Sequence, residues 1–393
     1  MKEVWNVSKD LFIRTSLQKQ WLETLSKLEE DFKRDSQKND KEAAFPKENV
    51  KALVEAGYTK LTLPVEYGGG GIRVTDMVLF QETIASLDSV TGLAIGWHQG
   101  VVGELYEKKL WQETKLASFA EEILSGALVN RAVSEAQTGS PTRGGRPGTN
   151  AAKKGAKWVI SGQKNFTTMS PVLTHFLVSA WVEEKQGIGF FLIDREAKGL
   201  SIKETWDVIA MRGSESHDLV LEEVEVDEEN FVELNNGPRG DKINGWILHI
   251  PACYLGIAQS ARDYALKFAV EHSPNSISGP ISQLPNVQNL IGQIDLELMK
   301  ARHFLYSVAE AYDDSERRPL ITNELAAAKH IVTNSAIKIV DLSMRLAGAK
   351  SLQMSNPLQR YYRDVRAGLH NPPMDDMTIS KLAQTAITHS ETN

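Results

Sequence analysis

The chain has 393 residues, a formal net charge of −7, 41% hydrophobic and 24% charged residues. That length suits two or three domains, and the balance is that of an ordinary globular protein. No basic block suggests nucleic acid, and no stretch nears the ~18 apolar residues of a membrane span. One cysteine, Cys253, excludes an intrachain disulfide and a thiolate metal site. With no apolar signal segment at the start, the reading is a cytoplasmic protein with no metal centre.

Trp21, Leu25, Leu28 and Phe32 recur at helical spacing. The run from Lys27 to Glu42 alternates in charge and reads as a solvated helix face or loop. Pro46 opens a further helix at its first turn, Val50, Leu53 and Val54 form its stripe, and Gly57 ends it. Gly68 to Gly71 are read as a turn, because no Lys-Ser/Thr follows and no G-x-G-x-x-G follows a strand. Thr75 or Asp76 is expected to cap the next helix, striped by Met77, Phe80, Ile84 and Leu87. Residues 93–125 continue helical, so 1–127 form an N-terminal α-helical domain.

From 128 to 234 the chain is β-rich. Trp158–Ile160, Phe176–Val182, Gly189–Ile193 and Leu219–Leu221 read as strands. No long helices intervene, which predicts a small antiparallel β-domain. Pro141 to Asn150 reads as a loop. From 235 to 393 the pattern is helical again, over 247–270, 287–308, 325–346 and 374–388, which predicts an antiparallel helical bundle. The fold class is α+β.

Two runs in the β-domain carry the functional signal. The first is Val133-Ser134-Glu135-Ala136-Gln137-Thr138-Gly139-Ser140; the second is Gly162-Gln163-Lys164-Asn165-Phe166-Thr167-Thr168. Hydroxyl residues beside glycine offer O–H and exposed backbone N–H donors to a planar, electron-rich ligand. Polar hairpin loops have the same composition. Met211-Arg212-Gly213-Ser214-Glu215-Ser216 is a third hydroxyl-rich turn.

These runs resemble the flavin-contacting signatures of the acyl-CoA dehydrogenase family, and the likeness covers nearly the whole chain. The first is similar to a "TEPxAGSD"-like loop, the second to "GxKxWIT", the third to "GmRGSxS". The resemblance implies flavin contacts from Val133, Ser134, Gly139, Ser140, Phe166, Thr167 and Thr168. Ser134 matches the hydroxyl on the pyrimidine edge, Phe166 the aromatic over one ring face, and Thr168 the hydroxyl near N5. It also implies FAD as cofactor, an acyl-CoA substrate oxidised at Cα–Cβ, transfer of electrons to an electron-transfer flavoprotein, and a homo-oligomer, dimer or tetramer.

The family's base is a glutamate, suited because burial lifts a carboxylate towards neutrality. Counted from Arg363-Asp364, its place is taken by Pro372; the second place, counted back from Gly256, is taken by Trp246. The remaining candidates are Asp375, Asp376 and His370, with His249 on the helix nearby. The family's arginine for the FAD pyrophosphate is replaced in Asn275–Gly279, while Arg345 and Gly348 lie where the dinucleotide tail is otherwise served. Arg345 therefore takes over the pyrophosphate, or the flavin is FMN. The run from Gly348 to His370 is also similar to the two-component monooxygenases of the same superfamily, which use reduced flavin and O₂ with a histidine near this place. A third reading is a catalytically silent protein that binds flavin or acyl-CoA.

Overall fold

The computed structural model describes residues 9–138, 145–235 and 243–392. Its first part is helical: α1 (Ser16–Lys27), α2 (Glu29–Glu42), α3 (Lys47–Glu55), α4 (Val74–Leu87), α5 (Ser89–Glu107) and α6 (Glu113–Leu124). The stripe Trp21-Leu25-Phe32 crosses two helices rather than one, with the break at Leu28. The expected cap of α4 is corrected. Arg73 is the N-cap residue, and Asp76 reaches back to accept its N–H at 3.1 Å. The free N–H groups of Val74 and Thr75 instead go to Asp313, at 3.0 and 2.9 Å. A carboxylate more than two hundred positions away in sequence does the work of a local cap, and favours the positive helix end.

The central part is one mixed sheet: β1 (Val129–Ala132), β2 (Asn150–Lys154), β3 (Lys157–Lys164), β4 (His175–Val182), β5 (Gly187–Asp194), β6 (Leu200–Lys203), β7 (Asp218–Asp227) and β8 (Phe231–Asn235). The order is β6-β7-β3-β2-β4-β5-β8, with β1 beside β4. Pairing is antiparallel except that β1 and β2 both run parallel to β4. Four of its strands lay outside the expected set. In β2 only Ala151 is buried, so the strand lacks the apolar alternation that marks one.

The last part comprises α7 (His249–Glu271), α8 (Pro285–Asp313), α9 (Thr322–Ala347), α10 (Pro357–Arg366) and α11 (Asp375–Thr392). Helix α7 is buried along most of its length. Gly256 lets it meet α4 closely, since a Cβ there would lie 2.4 Å from the Glu82 carbonyl oxygen. A fully buried ion pair, Arg302–Glu82 at 2.6 Å, joins α8 to α4. Tyr306 donates to the other Glu82 oxygen at 2.7 Å, and Arg302 also donates to Gln259 on α7. Among the described residues no helix is long and apolar enough to cross a membrane, and no group of His, Cys, Asp or Glu could hold a metal ion.

Candidate functional site

The three hydroxyl-rich segments meet where β1 and β3 end and β7 begins, an edge of the sheet formed by strand ends. The Asn165 N–H donates to the Ser134 carbonyl at 2.9 Å, joining the first two runs. Thr167 N–H donates to the His217 carbonyl at 3.2 Å, and Met169 N–H to the Ser214 carbonyl at 3.1 Å, joining the second to the third. Asn130, on β1, donates to the Thr168 carbonyl at 3.2 Å.

The side chains form a hydroxyl chain. Ser216 donates to the Thr168 oxygen at 2.9 Å, and Ser214 lies 2.9 Å from Ser216. Because Thr168 accepts from Ser216, its own proton is left to donate onward. Donors polarised in series are stronger than isolated ones. Beside them, the Thr167 hydroxyl oxygen and the Asn165 amide oxygen are buried without a partner. Buried polar atoms rarely stay unpaired, so these two are the exceptions in this loop. Phe166 is 60% exposed and meets the Trp206 ring edge-on at 5.9 Å.

The backbone here is held in unfavourable conformations. Phe166, Met169, Met211 and Glu215 all have positive φ (54, 68, 52 and 38°) without being glycine. Each costs of order 1–3 kcal/mol and persists only where the surroundings over-determine it. The surroundings do so. Asp364 on α10, 1% exposed, accepts from the Met211 N–H at 2.7 Å and from the Ser89 hydroxyl at 2.6 Å. Arg363 forks onto Asp40 of α2 at 2.5 and 2.9 Å and donates to the Ile209 carbonyl. Gly213 must be glycine, because a Cβ would lie 2.5 Å from the Ala44 carbonyl oxygen. Burial raises the Asp364 carboxyl above its ordinary value, against the opposing bonds from Ser89 and Met211.

The first run is anchored by a pair that sequence reading passed over. Lys164 is 0% exposed and donates to Glu135 at 2.5 Å and to Ser179 at 3.1 Å. Glu135 also accepts the N–H groups of Gly148 and Thr149, at 2.6 and 3.1 Å. Burial pushes the Glu135 carboxyl up, but the bond and charge of Lys164 outweigh it and hold the carboxylate below its ordinary value. The lysine of the second run therefore serves the loop rather than a ligand.

Of the other residues singled out, Val133 and Ser134 are half-buried beside this edge. Gly139 and Ser140 lie outside the described residues. Arg345 sits exposed in the last turn of α9 and is paired with Asp341 at 2.7 Å; Gly348 ends that helix. His370 is exposed on the turn after α10, and its ring makes no bond to the hydroxyl chain. The next residue, Asn371, accepts from the buried Tyr254 of α7 at 2.5 Å. Asp375 is tied to α9: Asn334 donates to it at 2.9 Å, and His330 lies at 3.1 Å and Lys329 at 3.6 Å. Burial raises its carboxyl, but these partners together hold it below the ordinary value. Asp376 is exposed, one residue further on.

No carboxylate stands at either position where the family carries its base. At Trp246 the indole N–H donates to Glu107 at 2.9 Å, and Glu107 is already engaged by Tyr312 at 2.5 Å and Arg318 at 3.0 Å. At the other, residues 372 and 373 are both proline. His249 is 1% exposed, packs over Gly96 and Gly100 of α5, and is pushed down to about 3 by burial. It is a neutral imidazole in the α5–α7 seam.

Family models match in three consecutive blocks: acyl-CoA dehydrogenase N-terminal domain over residues 15–113, middle domain over 130–224 and C-terminal domain over 248–371. A Bacillus subtilis protein, "putative acyl-CoA dehydrogenase YdbM", is 58% identical over 96% of this chain and 99% of its own length. Among solved structures, butyryl-CoA dehydrogenase from Megasphaera elsdenii superposes with a TM-score of 0.85 at 18% identity, covering 95% of this chain and 99% of that one. Methanesulfinate monooxygenase from Pseudomonas fluorescens superposes at 0.81 with 22% identity, covering 94% and 97%.

Proposed function

The chain belongs to the acyl-CoA dehydrogenase family, and within it we propose a flavin-dependent enzyme that oxygenates a small substrate rather than desaturating a thioester. The observation that carries this reading is the missing base. Abstraction of an α-proton needs a carboxylate with a pKa near neutrality. Trp246 and Pro372 occupy its two places, Glu107 is bound by three groups, and Asp375 is held in its ionised form by α9. The fold is shared with a protein named as a monooxygenase.

Bound and reduced, a flavin supplies two electrons to O₂, placing one oxygen atom on the substrate and the other in water. Thr168, fed by Ser216 and Ser214, would donate a hydrogen bond to the flavin's acceptor edge. Thr167 and Asn165 would lie near its rim, and Phe166 with Trp206 would cover one ring face. His370, exposed on the turn after α10, is the residue that would supply the histidine this chemistry calls for. FMN suits this chain better than FAD: Asn275–Gly279 offers no arginine for a pyrophosphate, and Arg345 is exposed beside Asp341.

A second reading, desaturation with electrons passed to an electron-transfer flavoprotein, is favoured by the name of the 58%-identical relative. One experiment separates them. Under oxygenation, protein charged with reduced FMN consumes O₂ and transfers oxygen to a small organic acceptor, and oxidised flavin does not bleach anaerobically with acyl-CoA. Anaerobic bleaching by acyl-CoA thioesters would establish the second reading instead. His370→Ala should uncouple O₂ consumption from product; unchanged coupling removes His370 from the site.

A further inference from the structure

His217 is absent from the reading above, yet it touches both loops that form the candidate site. Its ring is nearly buried. Its Nδ1 accepts two successive backbone N–H groups, from Thr205 at 3.1 Å and Trp206 at 3.2 Å. An imidazole nitrogen that accepts cannot carry a proton, so the proton sits on Nε2. Nε2 lies 3.8 Å from a Glu215 oxygen, whose partner oxygen accepts the Phe45 N–H at 2.9 Å. The carbonyl of His217 takes the Thr167 N–H at 3.2 Å. One residue thus holds Thr167 through its main chain and Trp206 through its ring.

Trp206 needs such a hold. It sits on an irregular segment between β6 and β7, and its indole N–H donates to the Met211 carbonyl at 3.1 Å. Phe166, in the left-handed region and largely exposed, has the Trp206 edge as its ring neighbour. With the two N–H groups released, the 205–206 turn loses the acceptor that sets its direction, and Trp206 is left with the indole bond to Met211 alone.

We propose that His217 is a positioning residue: as a neutral Nε2–H imidazole it fixes Trp206 against Phe166, and so sets the aromatic wall of the flavin face. The assignment of that wall to a flavin rests on the function proposed above; the hold on Trp206 does not.

The test uses the full chain as wild type, His217→Asn, His217→Leu and Trp206→Phe. Asparagine places an acceptor oxygen where Nδ1 lies; leucine keeps bulk without an acceptor. In flavin-free protein, nitrogen-edited NMR of labelled imidazoles should show one ring, absent from His217→Asn, with Nδ1 unprotonated near neutral pH. The emission of Trp206, taken as wild type minus Trp206→Phe, should shift to the red in His217→Leu and stay in place in His217→Asn. With FMN added, His217→Leu should bind about tenfold more weakly, the factor for one net hydrogen bond lost from the wall, and His217→Asn within about twofold of wild type. A protonated Nδ1, unmoved Trp206 emission in a folded His217→Leu, or failure of asparagine to rescue would overturn the proposal. If wild type binds neither FMN nor FAD, the flavin reading falls, while the NMR and emission results still decide the role of His217.

Discussion

Two parts of the molecule are built in opposite ways. The hydroxyl loops at 133–138, 165–170 and 211–217 are held by distant partners: by Asp364, by Arg363 with Asp40, by Glu135 with Lys164, and by His217. The segment from 367 to 376, where the family keeps its base, has its one half-buried carboxylate turned away onto α9 and its histidine exposed. Rigid, strained donors belong to recognition of a fixed cofactor edge. A wall whose half-buried carboxylate is engaged elsewhere fits the oxygenation proposed above. The comparison therefore separates what any member of this fold needs from what selects its reaction.

The largest expected effect comes from the buried pair under the first loop. Glu135→Ala strands the Lys164 ammonium with only Ser179, and breaking one side of a buried pair costs about 3–5 kcal/mol. Thermal or denaturant unfolding measures it, and Lys164→Met in the same chain should recover part of the loss. The pH dependence has a definite sign. The Glu135 carboxylate is held below its ordinary 4.5 when folded, so its contribution is complete above that value and fades as pH falls through the folded one. A Glu135→Gln chain should show a shallower acid limb.

Asp364 should give a smaller effect with the opposite pH sign. Asp364→Ala leaves the Met211 N–H buried without an acceptor, at about 1–3 kcal/mol. Here burial raises the folded carboxyl above its ordinary 3.8. Between those two values the folded chain keeps a proton that the unfolded chain has released, so stability falls as pH rises through the window. Comparing acid limbs of the two variants reads both signs. A drop in flavin affinity with Asp364→Ala, absent from helix variants elsewhere, would place the strain of the 211–217 loop in recognition.

Much of this contrast was legible in sequence, because the recognition side is local. Small hydroxyl residues beside glycine, repeated at strand ends, announced the loops at 133–138 and 162–168, and the helices announced themselves by period. What stayed hidden was made by partners far apart in the chain. Asp313 caps α4, Asp364 holds Met211, and Lys164 meets Glu135 across two strands; no short window contains both halves of any of these pairs. Strand β2 was hidden for another reason: with only Ala151 buried, it has no periodic face to read. The missing base could be read, but only as an absence; where Asp375 spends its charge required the fold.

Asp375 sharpens the comparison from the other side. Asp375→Asn loses the charge that attracts Lys329 and His330 but keeps an oxygen for Asn334, so about 1 kcal/mol of stability should go. Turnover with O₂ should change little. If Asp375 were instead the base of a desaturase, the same change would remove about 10²–10⁴-fold in rate with stability hardly altered. Measuring both quantities on one preparation discriminates between an anchor for α11 and a catalytic group.

The smallest expected effect is at Arg345. Its guanidinium is exposed and bridged to Asp341 one turn earlier, an arrangement that contributes little in water. Arg345→Ala should leave the melting temperature and FMN affinity unchanged. FAD makes the informative arm. If a neighbouring copy of the chain directs a dinucleotide tail to this helix end, Arg345 leaves Asp341 to bind the pyrophosphate, and the substitution weakens FAD while sparing FMN. Equal affinity of wild type and variant for both flavins would confine recognition to the hydroxyl loops proposed above.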